Sequence, residues 1–391
     1  MIEKLNTPSN SKSIRYSGDQ FGYYTVGPNF KTYSKLKAIE EMKRTGIHLE
    51  WHFNKEQYMN YDWTKEPTES LEELYRQRAQ QIRDSYDYIV IFYSGGADSW
   101  CILDTFIKND IKIDEIAHCY SYEGDRDKHS VFNEEIFYTA IPHTQKIIEE
   151  NPDINHRVID MSSIINEMYL RPDIKYDFIY NIKGIASANS LARSYLREYV
   201  NDYKKIIDSG KRLCFIWGTE KPRLKRVNGK WQHWFIDVFS ETNLRIQYLE
   251  SQGYFDEWFF WSPDTAPIVA KQSHILMKVL KNEPNDSPWF TDEQWAHSPE
   301  RNGKFLRDDI YHTLIYPGWN PNTLVAPKPK NLIFSERDNW FWKQNPDTNK
   351  AVQNGKSGIK ELLSRVGSYW LNDTKDTTRG IKGCINIYNL E

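Results

Sequence analysis

The chain has 391 residues, room for two or three domains at roughly 150 residues each. Its 51 Lys and Arg nearly balance 54 Asp and Glu, so the net charge of -3 gives no global basic field of the kind that announces a nucleic-acid partner, although a local basic patch stays open. Its apolar runs fall short of the ~18 residues of a membrane-spanning helix, which excludes that class and any membrane partner of that kind.

Residues 1–70 are polar, rich in Lys, Tyr and Asn, and weakly periodic; they are expected to form an N-terminal accessory arm. Met1–Asn6 lacks the apolar core of a signal peptide. Glu66-Pro67-Thr68-Glu69-Ser70 marks a boundary, with Thr68 as candidate N-cap of a charged helix over Leu71–Ser85. Asp87–Tyr93 is a continuous apolar, β-branched run, the pattern of a strand buried on both faces. Ser94-Gly95-Gly96 then turns the chain into a helix in which Trp100, Leu103, Phe106 and Ile107 recur at helical spacing. Ile113–Tyr120 predicts a second strand, Asn133–Glu150 a helix disturbed by Pro142, and His156–Met161 a third strand. Residues 162–184 read as irregular, Ile185–Ile207 as a long helix, and Arg212–Trp217 as another buried strand that ends in Gly218–Arg223. Ala266–Leu280 predicts a further helix, started by Asp264-Thr265 and Pro267. From residue 283 to 391, Pro, Asn, Trp and Lys dominate, and a C-terminal accessory or substrate region is expected.

Strands alternating with helices imply parallel βαβ units: an α/β, doubly wound parallel sheet over residues 71–282. Such sheets bind ligands beyond the carboxyl ends of their strands. The two most distinctive loops, after Tyr93 and after Trp217, both fall at such ends.

The first of these, Ser94-Gly95-Gly96-Ala97-Asp98-Ser99, suits a phosphate. Two glycines let backbone N–H groups approach an anion. The helix that follows adds unsatisfied donors and the positive end of its dipole. Asp98 would repel a bare phosphate and makes sense as a ligand of Mg²⁺ carried by phosphates. Ser-Gly-Gly-x-Asp-Ser after a hydrophobic strand resembles the PP-loop of the ATP pyrophosphatases, the adenine nucleotide alpha-hydrolase-like superfamily. The resemblance covers roughly residues 85–280, but only the loop matches position by position. It implies a Rossmann-like fold of the HUP type that binds ATP and Mg²⁺. Ser94, Gly95, Gly96, Ala97 and Ser99 would hold phosphates, and Asp98 would help bind the metal. Most members adenylate an oxygen of an acceptor, release pyrophosphate, and let a nitrogen or sulfur nucleophile displace AMP. Relatives often form dimers, so a homodimer is also possible.

The remaining candidates come from position alone. Tyr93 and Tyr120, with Phe92 and Cys119, end the first two strands, where adenine usually lies in this fold. Tyr122, Glu123 and Asp125 follow the second strand and offer a carboxylate for a metal, or simply an acidic loop. Lys221 and Arg223 could neutralise charge on a leaving pyrophosphate, against the plain reading of a basic surface loop. Asp237 and His274 read first as structural, and Lys271 as a cation that either reaches phosphate or snorkels along its helix.

Four cysteines (Cys101, Cys119, Cys214, Cys384) without C-x-x-C spacing are no disulfide framework, and a reduced, cytoplasmic protein is expected. Aromatics at 15% of the chain are expected to build a ring-rich core, although Trp289, Trp295, Trp319, Trp340 and Trp342 offer surfaces on which a base could stack. The leading expectation is an AMP-forming, ATP-dependent enzyme acting on an unidentified small molecule, nucleobase or carboxylate. The alternative that the resemblance leaves is a phosphoadenylylsulfate reductase-like sulfonucleotide enzyme, a reading weakened because Cys384 lacks the Glu-Cys-Gly context of those members. A non-catalytic ATP-binding protein is the third alternative.

Overall fold

The computed structural model of the chain describes residues 22–120, 133–164, 167, 196, 199–218, 222–237, 253–282, 308–323, 346–347, 350 and 384–391. Within residues 22–70 it holds more than an arm. Tyr23–Val26 (β1), Lys31–Thr32 (β2) and Leu49–His52 (β3) pair as an antiparallel sheet in the order β2-β1-β3, and Lys35–Thr45 (α1) and Lys55–Met59 (α2) are helical. Tyr24, Val26, Leu49 and Trp51 are buried at alternate positions, as a half-buried strand requires. Such short runs hardly stand out from a polar background, which is why their periodicity is weak in the sequence.

Leu71–Ser85 forms the expected helix, α3. Its N-cap is Ser70 rather than Thr68, for the Ser70 hydroxyl accepts the Glu73 N–H at 3.1 Å. Leu71, Leu74, Tyr75, Arg78, Ala79 and Ile82 make its buried stripe.

Tyr88–Phe92 (β4), Ala97–Lys108 (α4), Glu115–Tyr120 (β5), Ile141–Glu150 (α5) and Asn155–Asp160 (β6) follow in the alternation the sequence predicts. A π-helical turn, Glu135–Ala140, precedes α5. Pro142 has no N–H to offer and its ring would crowd the carbonyl four residues back. A widened turn, closed by the Ile141 N–H on the Ile136 carbonyl, accommodates it. Most of the helix expected over 185–207, and the stretch 168–184, lie outside the described residues; Asn201–Asp208 is helix α6. Leu213–Trp217 (β7), the strands Leu224–Val227 (β8) and Lys230–Ile236 (β9), Tyr254–Trp258 (β10), Ala266–Lys281 (α7), Asp308–Ile315 (α8) and Ile385–Asn389 (β11) follow, with short 3-10 turns at Pro263–Thr265 and Pro321–Thr323.

The central sheet runs β10-β7-β4-β5-β6, and all its neighbours are parallel. From β4 the chain steps outward through β5 and β6, then returns to the other side of β4 for β7 and β10. This is a doubly wound, Rossmann-like α/β sheet, and the direction of winding reverses between β4 and β7. Strand β10 was not legible because Asp256 and Glu257 interrupt its apolar run. Inside the protein Glu257 accepts from Arg78 Nη2 at 2.7 Å and from the Tyr86 hydroxyl at 2.5 Å, while Asp256 accepts from Trp217 Nε1 at 2.6 Å.

Strands β8 and β9 form a hairpin around Asn228-Gly229, both at positive φ (51° and 78°), the geometry of a tight primed turn. Strand β11 pairs with the other edge of β9, so the C-terminal strand is part of the same body. Buried Asp237, just past β9, joins three segments. It accepts from the Tyr24 hydroxyl (2.7 Å), pairs with Lys35 Nζ (2.7 Å) and accepts the Cys384 N–H (2.9 Å). Many of the described aromatic residues are core: Phe53, Tyr58, Trp63, Phe235, Trp261 and Tyr388 pack ring against ring. Among the described residues no helix is long and apolar enough to cross a membrane.

Candidate functional site

The loop 94–96 lies at the carboxyl end of β4, at the point where the winding reverses, and runs straight into α4. Position follows from topology here: a parallel sheet that winds both ways leaves a crevice between the two central loops. Gly96 is the N-cap of α4, and glycine has no side chain with which to cap the first-turn N–H groups. The loop is braced from within. The Ser94 N–H donates to Ser99 Oγ (3.1 Å), the two hydroxyls are 3.2 Å apart, Ser99 Oγ donates to the Gly96 carbonyl (3.1 Å), and the Gly96 N–H reaches Ser94 Oγ (3.3 Å).

Two glycines set its shape. Gly95 has φ +85°, and a Cβ on it would stand 3.0 Å from the Glu135 carbonyl oxygen in the π-helical turn. Gly218, the residue after β7, lies directly against the start of α4. A Cβ there would stand 2.9 Å from both the Asp98 carbonyl carbon and the Ser99 nitrogen. The chain after β7 therefore meets the start of α4 backbone to backbone at Gly218, a contact that the sequence does not announce; there Lys221 and Arg223 stand out instead.

Asp98 occupies the first turn of α4, half-buried. Its Oδ1 accepts the hydroxyl of Tyr316, a fully buried residue that follows α8. Burial, and then the Asp98 charge, push the Tyr316 phenol well above its ordinary range, so the hydroxyl keeps its proton and remains a donor. The turn after it is seated on α4 as well: the rings of Trp100 and Trp319 are 5.2 Å apart, and Trp100 borders Gly318. Tyr316 was not singled out from sequence; the one local signal there is the turn Tyr316-Pro317-Gly318.

Tyr93 and Tyr120 are buried. The Tyr93 hydroxyl pairs with His143 Nδ1 at 2.8 Å, and Tyr120 packs edge-on against Phe137. Burial lowers His143 below the usual histidine range. His118 Nδ1 lies 2.7 Å from the Tyr93 carbonyl, which only accepts, so Nδ1 carries the proton. Burial brings this imidazole down to about 4, so it is neutral near pH 7. On the opposite side of β4, Phe92 stacks on Trp217 with centroids 4.2 Å apart and planes 7° from parallel.

The other expected residues are placed as follows. Arg223 precedes β8, its carbonyl accepts the Trp234 N–H, and its charge adds to burial in lowering His233. Lys271 Nζ is held by Glu66 (3.0 Å) and by the Pro67 carbonyl (2.9 Å). His274 bonds the Trp63 carbonyl at 3.0 Å, a structural position, as is that of Asp237. Cys101 and Cys214 are buried, Cys119 and Cys384 are half-buried, and none of the four is in a disulfide. Lys221, Tyr122, Glu123, Asp125, Trp289, Trp295, Trp340 and Trp342 lie outside the described residues.

The loop fits a phosphate chain: a helix start whose N-cap residue brings no side chain, two hydroxyls, and glycines where side chains would collide. Among the described residues no group of three His, Cys, Asp or Glu is arranged to hold a metal. A single carboxylate, Asp98, fits Mg²⁺ that takes most of its ligands from phosphates and water. No protein-family model matches the chain, and no curated protein matches it.

Proposed function

We propose that the crevice between β4 and β7 binds MgATP and that the chain is a cytoplasmic enzyme that cleaves ATP to AMP and pyrophosphate. The observation that carries this reading is the Ser94–Ser99 loop at the winding reversal of a parallel sheet, closed by Gly218 against the start of α4. The backbone of 95–99 and the hydroxyls of Ser94 and Ser99 bind the phosphates, and Asp98 holds the Mg²⁺ that neutralises part of their charge. An oxygen of the acceptor attacks the α-phosphorus, the bond to the bridging oxygen breaks, and pyrophosphate leaves with the electron pair. A nitrogen or sulfur nucleophile then displaces AMP. Arg223 and Lys221 follow β7 in the sequence and are our candidates for meeting the pyrophosphate charge.

The test is incubation with Mg²⁺ and α-³²P-ATP, with and without cell extract as a source of acceptor. AMP, strongest with extract and absent with Asp98→Asn, supports the reading. Labelled ADP, or no cleavage at all, rejects the adenylation chemistry.

A further inference from the structure

Tyr93, the last residue before the phosphate loop, is held at three points by the neighbouring strand and helix. Its N–H donates to the Ala117 carbonyl of β5 at 2.9 Å. Its hydroxyl pairs with His143 Nδ1 of α5 at 2.8 Å. Its carbonyl accepts from Nδ1 of His118 at 2.7 Å, and His118, on β5, is fully buried. That carbonyl belongs to the same peptide unit as the Ser94 N–H, which donates to Ser99 Oγ at 3.1 Å. The peptide that leads into the loop is therefore clamped at both ends by side chains, His118 at its oxygen and Ser99 at its nitrogen.

The clamp is not free of cost. With the proton on Nδ1, His118 Nε2 is a bare acceptor, buried and without a partner among the described residues. Buried polar atoms are nearly always paired, so an exception calls for a reason. A leucine would fill the place without the orphaned atom, but it would give up the donor at Tyr93. A Tyr93–Ser94 peptide free to rotate would carry the Ser94 N–H away from Ser99. It would also change the aim of the two hydroxyls, which now stand 3.2 Å apart. We propose that His118 is a positioning residue for the phosphate loop: its Nδ1–H fixes the Tyr93–Ser94 peptide and, through it, the Ser99 hydroxyl in the orientation that receives phosphate. The inference rests on the MgATP reading above. It adds a residue that touches no ligand and stands on a different strand from the one that carries the loop. Binding groups need such support, because they must be held to within about 0.5 Å of their productive geometry.

The experiment is calorimetric binding of MgATP to the unaltered chain and its variants, with the melting temperature of each. His118→Leu removes the donor and should weaken MgATP binding about tenfold or more. His118→Asn carries an amide N–H the same number of bonds from the backbone as Nδ1. It should bind MgATP nearly as tightly as the unaltered chain, although its smaller side chain lowers the melting temperature. His233→Leu is the structural control, at a second fully buried histidine, bonded to Ser273 and stacked on Trp63. It should lower the melting temperature and leave the affinity in place. Equal affinity of His118→Leu and the unaltered chain overturns the inference. An Asn variant as weak as the Leu variant overturns it too, since the donor would then not matter. So does equal weakening by His233→Leu, which would make stability alone responsible. If His118→Leu does not fold, His118→Gln takes its place: its amide lies one bond further out, and affinity equal to that of the Asn variant overturns the inference. Failure of the MgATP reading looks different. The unaltered chain itself then binds no MgATP, and the inference falls with it.

Discussion

Gly218 lies so close to Asp98 that a single methyl group would stand 2.9 Å from the Asp98 carbonyl carbon. The neighbour is helix backbone and cannot swing aside as a flexible side chain would. Gly218→Ala must therefore separate the loop after β7 from the start of α4. Forcing one carbon into a packed site of this kind costs about 1–3 kcal/mol. The expected result is a lowered melting temperature together with weakened MgATP binding, read by thermal denaturation and calorimetry. Retention of both would mean that the two loops do not form one site.

Gly95 is constrained differently. At φ +85° an L-residue is strained wherever it sits, by roughly 1–2 kcal/mol. Beyond that strain, its Cβ would meet the Glu135 carbonyl at 3.0 Å. Gly95→Ala should lose nucleotide binding out of proportion to its loss of stability, because the displaced atoms are those that would face the phosphates. A control at Gly210, also at positive φ (80°) but with open space around it, should show the strain alone. Equal effects on binding at the two positions would remove Gly95 from the site.

What the sequence made legible followed from strong local signals. The run Tyr88–Phe92 is apolar on both faces because it is the middle strand, and the glycines at 95 and 96 mark the turn that follows. The loop after Tyr93 does lie at the carboxyl end of β4, where the winding of the sheet reverses, because strands that alternate with helices run parallel. What stayed hidden depended on partners far along the chain. Strand β10 carries Asp256 and Glu257, whose charges make sense only once Trp217, Arg78 and Tyr86 stand opposite. The hairpin β8–β9 does carry a local signal, Asn228-Gly229 between two short runs. Tyr316 had no legible signal of its role, since nothing within its own segment indicates contact with a residue 218 positions earlier.

Buried Arg78 and Glu257 are linked at 2.7 Å, with both side chains nearly inaccessible. Burial pushes the Glu257 carboxyl up from its usual range, while Arg78 and the Tyr86 hydroxyl draw it down. Arg78→Met keeps apolar volume and removes the cation. At pH 7 it should destabilise the fold by about 3–5 kcal/mol, because an uncompensated carboxylate is left inside. Without the cation the folded carboxyl holds its proton to higher pH than the unfolded one. Stability of the variant should therefore fall as pH rises, and its deficit should shrink as pH is lowered towards 5. Urea unfolding at pH 7 and pH 5 measures this. A deficit independent of pH would assign the loss to packing.

Two buried histidines, His118 and His233, should weaken the fold in acid. Burial brings His118 to about 4 and His233, beside Arg223, to about 3, from an ordinary value of 6.5. A base whose folded pKa is depressed contributes its full stability above 6.5 and loses it as pH falls towards the folded value. Between pH 6 and pH 5 the unfolded chain binds a proton at each of these positions and the folded chain does not. Each should make unfolding easier by roughly 1.4 kcal/mol per pH unit over that window. His233 is the better one to replace, since it lies flat against Trp63 with a 5.8 Å centroid separation, well removed in sequence from the phosphate loop. His233→Gln should be less stable at pH 7, where the Ser273 contact at 3.1 Å is altered. Its stability should then decline more slowly between pH 6 and pH 5, by about one proton's worth of slope. Parallel pH profiles for the variant and the unaltered chain would show that His233 does not titrate differently in the folded and unfolded states.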